Sequence, residues 1–148
     1  MTRVSEGVKL IPLLAIFVVI NGSTAFADYN NYLCVADQAI GYRFDPALHA
    51  WSNAVFYLEG DKYTIRKENE GWVWEQFGGK LIPARCGEFD EYGISLCGSD
   101  NHIYNVIFNR KALRFEMTYF GEYAEHLKAD ESKSDTPYIE IGTCTPIS

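Results

Sequence analysis

Residues 103–119 read IYNVIFNRKALRFEMTY, two apolar runs joined by a short polar connection. In the second run, Leu113 to Tyr119, apolar and polar residues alternate, and this period of two places the Leu, Phe, Met and Tyr side chains on one face of a β-strand. The first run, 103–108, is rich in β-branched and aromatic residues, and the connection 109–112 has hairpin length. The stretch therefore predicts an antiparallel hairpin.

Further short runs of strand-forming residues extend this pattern along the chain. Gly, Asp and Asn residues separate them, and the connections are too short for the crossover that parallel strands require. We therefore predict a mostly β fold: a single antiparallel meander of about eight short strands that forms a barrel or a curled sheet, with at most one or two short helices in loops. The additional runs are 32–35, 54–58, 63–65, 72–77, 93–96 and 138–141.

Two segments favour brief helices or loops instead. In 45–51, Asp45 precedes Pro46, an order typical of a helix N-cap followed by the first helical position. Residues 122–129 contain good helix formers, but the polar run that follows predicts a flexible loop near 124–136.

The N-terminus has the three parts of a signal peptide. Arg3 and Lys9 precede an apolar run of 11 residues, 10–20, and Ala25-Phe26-Ala27 fits a cleavage site. A retained membrane anchor is the alternative, but a spanning helix needs about 20 apolar residues. We predict that residues 1–27 are cleaved after Ala27, with Ala25 as the second candidate, and that 28–148 form one periplasmic or secreted domain.

All four cysteines lie after the predicted cleavage site, and export delivers them to an oxidising compartment. Four cysteines allow three pairings. We favour Cys86–Cys97, which would close a hairpin, together with Cys34–Cys144, which would join the first strand to the last. The chain has no C-x-x-C pair to hold zinc, and we expect neither a metal nor a cofactor.

The net negative charge of the chain limits the kinds of partner that it can bind. The chain carries −7, and loss of residues 1–27 leaves about −8. Repulsion from phosphates and anionic lipids argues against nucleic acid or a stable membrane attachment after cleavage. Solubility is the simplest use of this charge. If a partner exists, we expect a basic protein or a cell-envelope component, bound to a monomer.

No catalytic motif emerges, and we assign no catalytic residue. The three histidines, His49, His102 and His126, fall in predicted loops and none is spaced to activate a nucleophile. Glu75 and Glu116 lie on different predicted strands, and two carboxylates across a groove could hydrolyse a glycoside. Solvated strand carboxylates are the more common case.

The chain is rich in aromatic residues, with 10 Tyr, 9 Phe and 3 Trp. Trp72 and Trp74 are two apart, so on a strand they share a face. They are the candidate binding aromatics if that face is wet, because tryptophan stacks on sugar rings and on apolar side chains. If the face points inward, they are core, which is the more common outcome.

Several motifs resemble a set of short exported, disulfide-containing proteins of Gram-negative bacteria. The resemblance covers most of residues 32–144, implies export, and brings no substrate or catalytic residue with it. The chain is also similar to periplasmic lysozyme inhibitors, which are small acidic disulfide-bonded β-barrels, in its tyrosine-x-cysteine strand; Gly121-Glu122-Tyr123 lacks the serine of their inhibitory loop. The motifs of the first resemblance are Tyr32-x-Cys34, Gly41-Tyr42-Arg43-Phe44, Trp51, Phe108-Asn109, Leu113-Arg114-Phe115, Gly121-x-Tyr123, Thr136-Pro137 and Ile141-Gly142-Thr143-Cys144.

These observations favour a non-enzymatic exported domain that binds another macromolecule or acts as an inhibitor. A calycin-like carrier of a small apolar ligand and a hydrolase with a carboxylate site are the alternatives. A hollow barrel interior would favour the carrier.

Overall fold

A computed structural model of the chain describes residues 29–121, Tyr123 and 136–147. The predicted signal peptide, His126 and almost all of the predicted helix 122–129 and loop 124–136 lie outside these ranges. Within them the fold contains strands and no helix, so no helix is long and apolar enough to cross a membrane. The strands are β1 (Asn31–Asp45), β2 (Ala50–Phe56), β3 (Lys62–Glu68), β4 (Gly71–Gln76), β5 (Ala84–Cys86), β6 (Ile94–Ser99), β7 (Tyr104–Asn109), β8 (Arg114–Tyr119) and β9 (Tyr138–Pro146).

The strands form one antiparallel meander that closes on itself. From β3 to β9 each strand pairs with the next along the chain, β1 pairs with β3, and β9 returns to pair with β1. The result is a closed barrel of eight strands, and β2 is an extra strand that pairs with the far end of β1. The predicted mostly β barrel is confirmed, and the hairpin expected in 103–119 is β7 and β8.

β1 is 15 residues long and serves two structures. Its first part pairs with β3 through Val35 and with β9 on its other side. A β-bulge between Ala36 and Gln38 shifts the register, and beyond it β1 pairs with β2 from Ala39 to Asp45. Bulges add twist and redirect a strand, and residues 38–56 extend β1 past its pairing with β3, with 38–41 still paired to β9 and 39–45 paired to β2. We call this segment the ribbon.

The helix expected in 45–51 is not formed. The Asp45 carboxylate accepts hydrogen bonds from the backbone N–H groups of Ala47 and Leu48, at 2.8 and 3.2 Å, so it closes a turn. The chain then enters β2 at Ala50. The sequence prediction was wrong because an Asx turn and a helix N-cap use the same aspartate hydrogen bonds, and pairing with β1 decides between them.

The barrel interior is packed with rings. The Tyr63 and Trp74 rings stack at 4.9 Å, and Phe115 lies 5.0 Å from Trp74. Tyr32 and Phe108 meet edge to face at 5.0 Å in the same core. Side chains therefore fill the interior, as is usual in barrels of about eight strands.

Two disulfides connect neighbouring strands, and they are the pairs favoured from the sequence. Cys34 of β1 bonds to Cys144 of β9, which lies directly opposite it in the ladder, and this bond closes the barrel. Cys86 of β5 bonds to Cys97 of β6 and secures the shortest strand. The two disulfides are consistent with folding in an oxidising, exported environment.

Candidate functional site

Trp72 and Trp74 both belong to the core. They are 3% and 0% exposed, and Trp72 meets the Phe89 ring edge to face at 4.9 Å. Of the two alternatives that the sequence leaves for these tryptophans, a wet binding face or the core, the structure shows the core. Since neither ring reaches the outer surface, the assignment of these two residues as candidate binding aromatics is replaced by a packing role.

Glu75 and Glu116 do not come together. Glu75 lies on β4 and Glu116 on β8, and three strands separate β4 from β8 in either direction around the barrel. Glu75 is instead paired with the guanidinium of Arg66 on β3. The two carboxylates therefore share no groove.

An apolar groove of about 850 Å³ lies where the ribbon meets the ends of β8 and β9. One wall is the ribbon itself. The ladder places Ile40 opposite Val55 and Tyr42 opposite Asn53, and residues opposite each other in a ladder project from the same face. The side chains of these four residues line the groove.

The floor continues across β9 and β8. Ile139 is the ladder partner of Ile40 on one side and of Thr118 on the other. The row from Val55 through Ile40 and Ile139 to Thr118 therefore spans four strands on the outer face of the sheet, and Phe120 extends it beyond the end of β8.

Aromatic rings close one end of the groove. Trp51 lies edge to face with Phe44 at 5.6 Å and with Tyr123 at 5.1 Å. The indole Nε1 of Trp51 is buried and has no hydrogen-bond partner among the described residues, which costs about 1–3 kcal/mol.

Gly41 allows the β1 side of the groove to lie close to the start of β9. A Cβ at this position would overlap the carbonyl oxygen of Pro137 and the Tyr138 backbone. Without it, the N–H of Tyr42 donates to the Pro137 carbonyl at 3.0 Å and continues the β1–β9 ladder past its last pair.

The described residues that line the groove carry no carboxylate, ammonium, guanidinium or imidazole group. His49 lies in the turn before β2 and His102 in the turn before β7, so neither enters it. Over the described part of the chain, no three potential metal ligands cluster. The chemistry of the groove is therefore apolar contact with a few hydroxyl and amide groups.

A buried polar pair lies inside the barrel. Glu140 of β9 is fully buried, and its Oε2 accepts a hydrogen bond of 3.2 Å from the Tyr63 hydroxyl. The pKa of Glu140 is raised to about 7. Burial is the main cause, the hydrogen bond from Tyr63 lowers the pKa, and the nearby Asp61 raises it. Burial and the nearby Glu140 raise the pKa of Tyr63 as well. The pair is a feature of the core and does not line the groove.

Alternation along β9 and β2 contains a signal both for the buried Glu140 and for the groove. Glu140 and Cys144 are four residues apart and so lie on the same face of β9, which predicts that the Glu140 carboxylate points inward. Trp51, Asn53 and Val55 likewise share one face once 50–56 is known to be a strand. The assumed helix over 45–51 concealed that pattern.

Comparisons of the chain with protein-family models, with curated proteins and with solved structures found no match in any of the three.

Proposed function

We propose that this chain is a non-enzymatic, exported binding protein whose binding surface is the groove beside the ribbon. The observation that carries the proposal is the exposure of the groove's large apolar side chains. Val55 is 76% exposed, Ile40 59% and Tyr42 54%. Contiguous exposed apolar surface of this kind usually marks a site that a partner covers.

The packing of the molecule supports the groove over the barrel interior. A carrier of the calycin type holds its ligand in the lumen, whereas here rings fill the lumen at centroid distances of about 5 Å. A concave site lined by apolar and aromatic groups with a few polar atoms is the usual form of a binding pocket. The groove has this composition, so any ligand, large or small, is better accommodated there.

A hydrolytic function has less support. The carboxylates considered from the sequence, Glu75 and Glu116, lie on opposite sides of the barrel. Glu140 has a raised pKa but is fully enclosed. A general acid must reach its substrate, and this one does not.

The charge of the chain favours a basic partner from the cell envelope or the surrounding medium. A net charge of −7 attracts cationic proteins and repels anionic surfaces. Tyr123, which belongs to the segment compared with the inhibitory loop of lysozyme inhibitors, lines the groove and packs against Trp51. Basic hydrolases and cell-wall fragments are therefore the first partners to test.

A neutral apolar dye, N-phenyl-1-naphthylamine, probes the groove directly. The double variant Ile40→Gln/Ile139→Gln removes two ladder neighbours from the groove floor. The matched control is Leu96→Gln/Ile107→Gln, a second exposed ladder pair on β6 and β7 that does not line the groove. We expect the dye affinity to fall by about tenfold in the groove variant and to stay near that of the wild type in the control.

The same two variants test binding of macromolecules. Immobilised wild-type protein and the control should retain the same protein or cell-wall fragment from an envelope extract, and the groove variant should release it. Retention by all three proteins, or loss from the control alone, would place binding elsewhere and overturn the proposal.

A further inference from the structure

Among the described residues, the outer edge of β2 carries backbone groups without a partner, and the ladder identifies them. The N–H of Tyr42 donates to Pro137, on the β9 side of β1, so the backbone of Tyr42 points away from β2. Tyr42 is the ladder partner of Asn53, which makes this a pair without mutual hydrogen bonds. The N–H and C=O groups of Asn53 therefore point to the outer edge, as do those of Trp51 and Val55, two residues away on either side.

No described residue pairs with this edge. β2 is the terminal strand of the sheet order, and no backbone hydrogen bond from the described residues reaches Trp51, Asn53 or Val55 from outside. These are also the three residues of β2 whose side chains share the groove face. One row of residues thus offers both hydrogen-bonding groups and apolar contacts.

Within the described part of the chain, this edge has none of the usual protection against strand pairing. Natural edge strands are shielded by charged residues, by proline or by covering segments. The seven residues of β2, AWSNAVF, contain no charge and no proline, and four of them are exposed. An edge of this kind accepts an added strand.

We infer that the partner supplies an extended polypeptide segment that pairs antiparallel with the open edge of β2 and places alternate apolar side chains over the groove. This rests on the proposed function, because it names what occupies the groove. Main-chain hydrogen bonds provide affinity in this mode of recognition, and pockets for every second side chain provide specificity.

Charges at the ends of β2 define the partner further. Asp45 precedes the strand and Glu59 follows it, and the basic residues nearest to them in the chain are Arg43 and Lys62. A segment with Lys or Arg at both ends is complementary to the two carboxylates. A second copy of the chain is disfavoured, because antiparallel pairing of two β2 edges would bring Asp45 of each copy toward Glu59 of the other.

A synthetic peptide of three Val-Thr repeats between paired lysines tests this with the mature protein. In antiparallel pairing, the peptide residues opposite Trp51, Asn53 and Val55 direct their backbone N–H and C=O groups toward β2. Their side chains lie on the groove face. N-methylation of the valine amides should therefore weaken binding by at least about tenfold, whereas N-methylation of the threonine amides should leave it within about twofold. Replacing the lysines by glutamates should also weaken binding.

Protein variants test the edge from the other side. Asn53→Pro removes an outward N–H without removing a bond to β1, and Asn53→Ala is its matched control. Binding of the lysine peptide should be lost in Asn53→Pro and should be weakened much less in Asn53→Ala, which keeps the outward N–H and loses only the side-chain amide. The peptide should also slow hydrogen exchange at the amides of Trp51, Asn53 and Val55.

The outcomes separate this inference from the proposed function. If the lysine peptide does not bind, or if methylation of valine and threonine amides has the same effect, strand pairing is overturned. In that case the groove remains the binding site provided that Ile40→Gln/Ile139→Gln still loses the dye and the retained partner. Concentration-dependent dimers that Asn53→Pro abolishes would overturn the inference in favour of self-pairing.

Discussion

The two parts of β1 on either side of its bulge both carry apolar residues at alternate positions, but only the first part buries them. Before the bulge, Tyr32 and Cys34 point into the barrel and are 2% and 0% exposed. After it, Ile40 and Tyr42 lie on the outer face of the ribbon, with more than half of each side chain in solvent. Apolar residues are buried in a sheet when a second layer covers their face. The closed barrel provides that layer for the first part, and we propose that a partner provides it for the second.

The largest expected effect concerns the cross-links, both of which lie in the barrel part. Replacing Cys34 and Cys144 by alanine should lower the free energy of unfolding by about 5 kcal/mol, because the bond closes a sequence separation of 110. The Cys86–Cys97 bond has a separation of 11, and its removal should cost about 3 kcal/mol. Urea denaturation of the two double variants measures the difference. Equal losses would show that chain entropy does not govern these bonds.

The buried Glu140 makes the barrel sensitive to pH. Its pKa in the folded protein is about 7, above the ordinary value of 4.5, so the folded state holds this proton more tightly. Its contribution to stability is fully present below pH 4.5, is lost as the pH rises to about 7, and amounts to about 3 kcal/mol.

The variant Glu140→Gln checks the assignment through the slope of stability against pH between 4.5 and 7. That slope should become more positive than in wild type, since the glutamine does not titrate. Glu75→Gln, a substitution at the surface, serves as the matched control and should leave this part of the profile close to wild type. If Glu140→Gln keeps the wild-type slope, another group is responsible.

The junction between barrel and ribbon depends on Gly41. An alanine there would overlap the Pro137 backbone, so Gly41→Ala should destabilise the fold by about 2 kcal/mol and weaken dye binding in the groove. Gly87→Ala is the control, because its Cβ would meet no atom closer than the Leu96 carbonyl at 3.9 Å. Thermal denaturation compares the two variants. A Gly41→Ala protein as stable as Gly87→Ala would show that the junction is not tightly packed.

The smallest effect on stability is expected in the ribbon. Val55 is 76% exposed, so Val55→Thr should change the free energy of unfolding by less than about 0.5 kcal/mol. The same substitution should weaken peptide binding, because it places a hydroxyl group on the groove face. A large loss of stability would mean that the side chain already has a partner within the molecule.

Local patterns predicted most of the barrel strands. Period-two alternation predicts the strand in 113–119, and four cysteines in a chain with a predicted signal peptide predict two disulfides. β5 escaped notice because three residues are too few to show a period. β2 was partly assigned to a helix, because Asp45 and Pro46 are compatible with both a helix start and a turn.

The candidate site was less accessible from the sequence. Trp72 and Trp74 were considered for binding because their spacing puts them on one face, but spacing does not tell which face is wet. Trp51 is in the groove because β1 bends at its bulge and β9 returns beside Ile40. These contacts join residues about 100 positions apart.

Composition and short-range patterns predict the antiparallel strands and the net charge, because alternation and turn residues act over a few positions, and they favour the cysteine pairing that the structure contains. The structure was needed to show that β1 pairs with β9, that the tryptophans at 72 and 74 face inward, and that no described strand covers the outer edge of β2. The physical reason is that burial and edge pairing depend on which distant segments come to lie next to a strand.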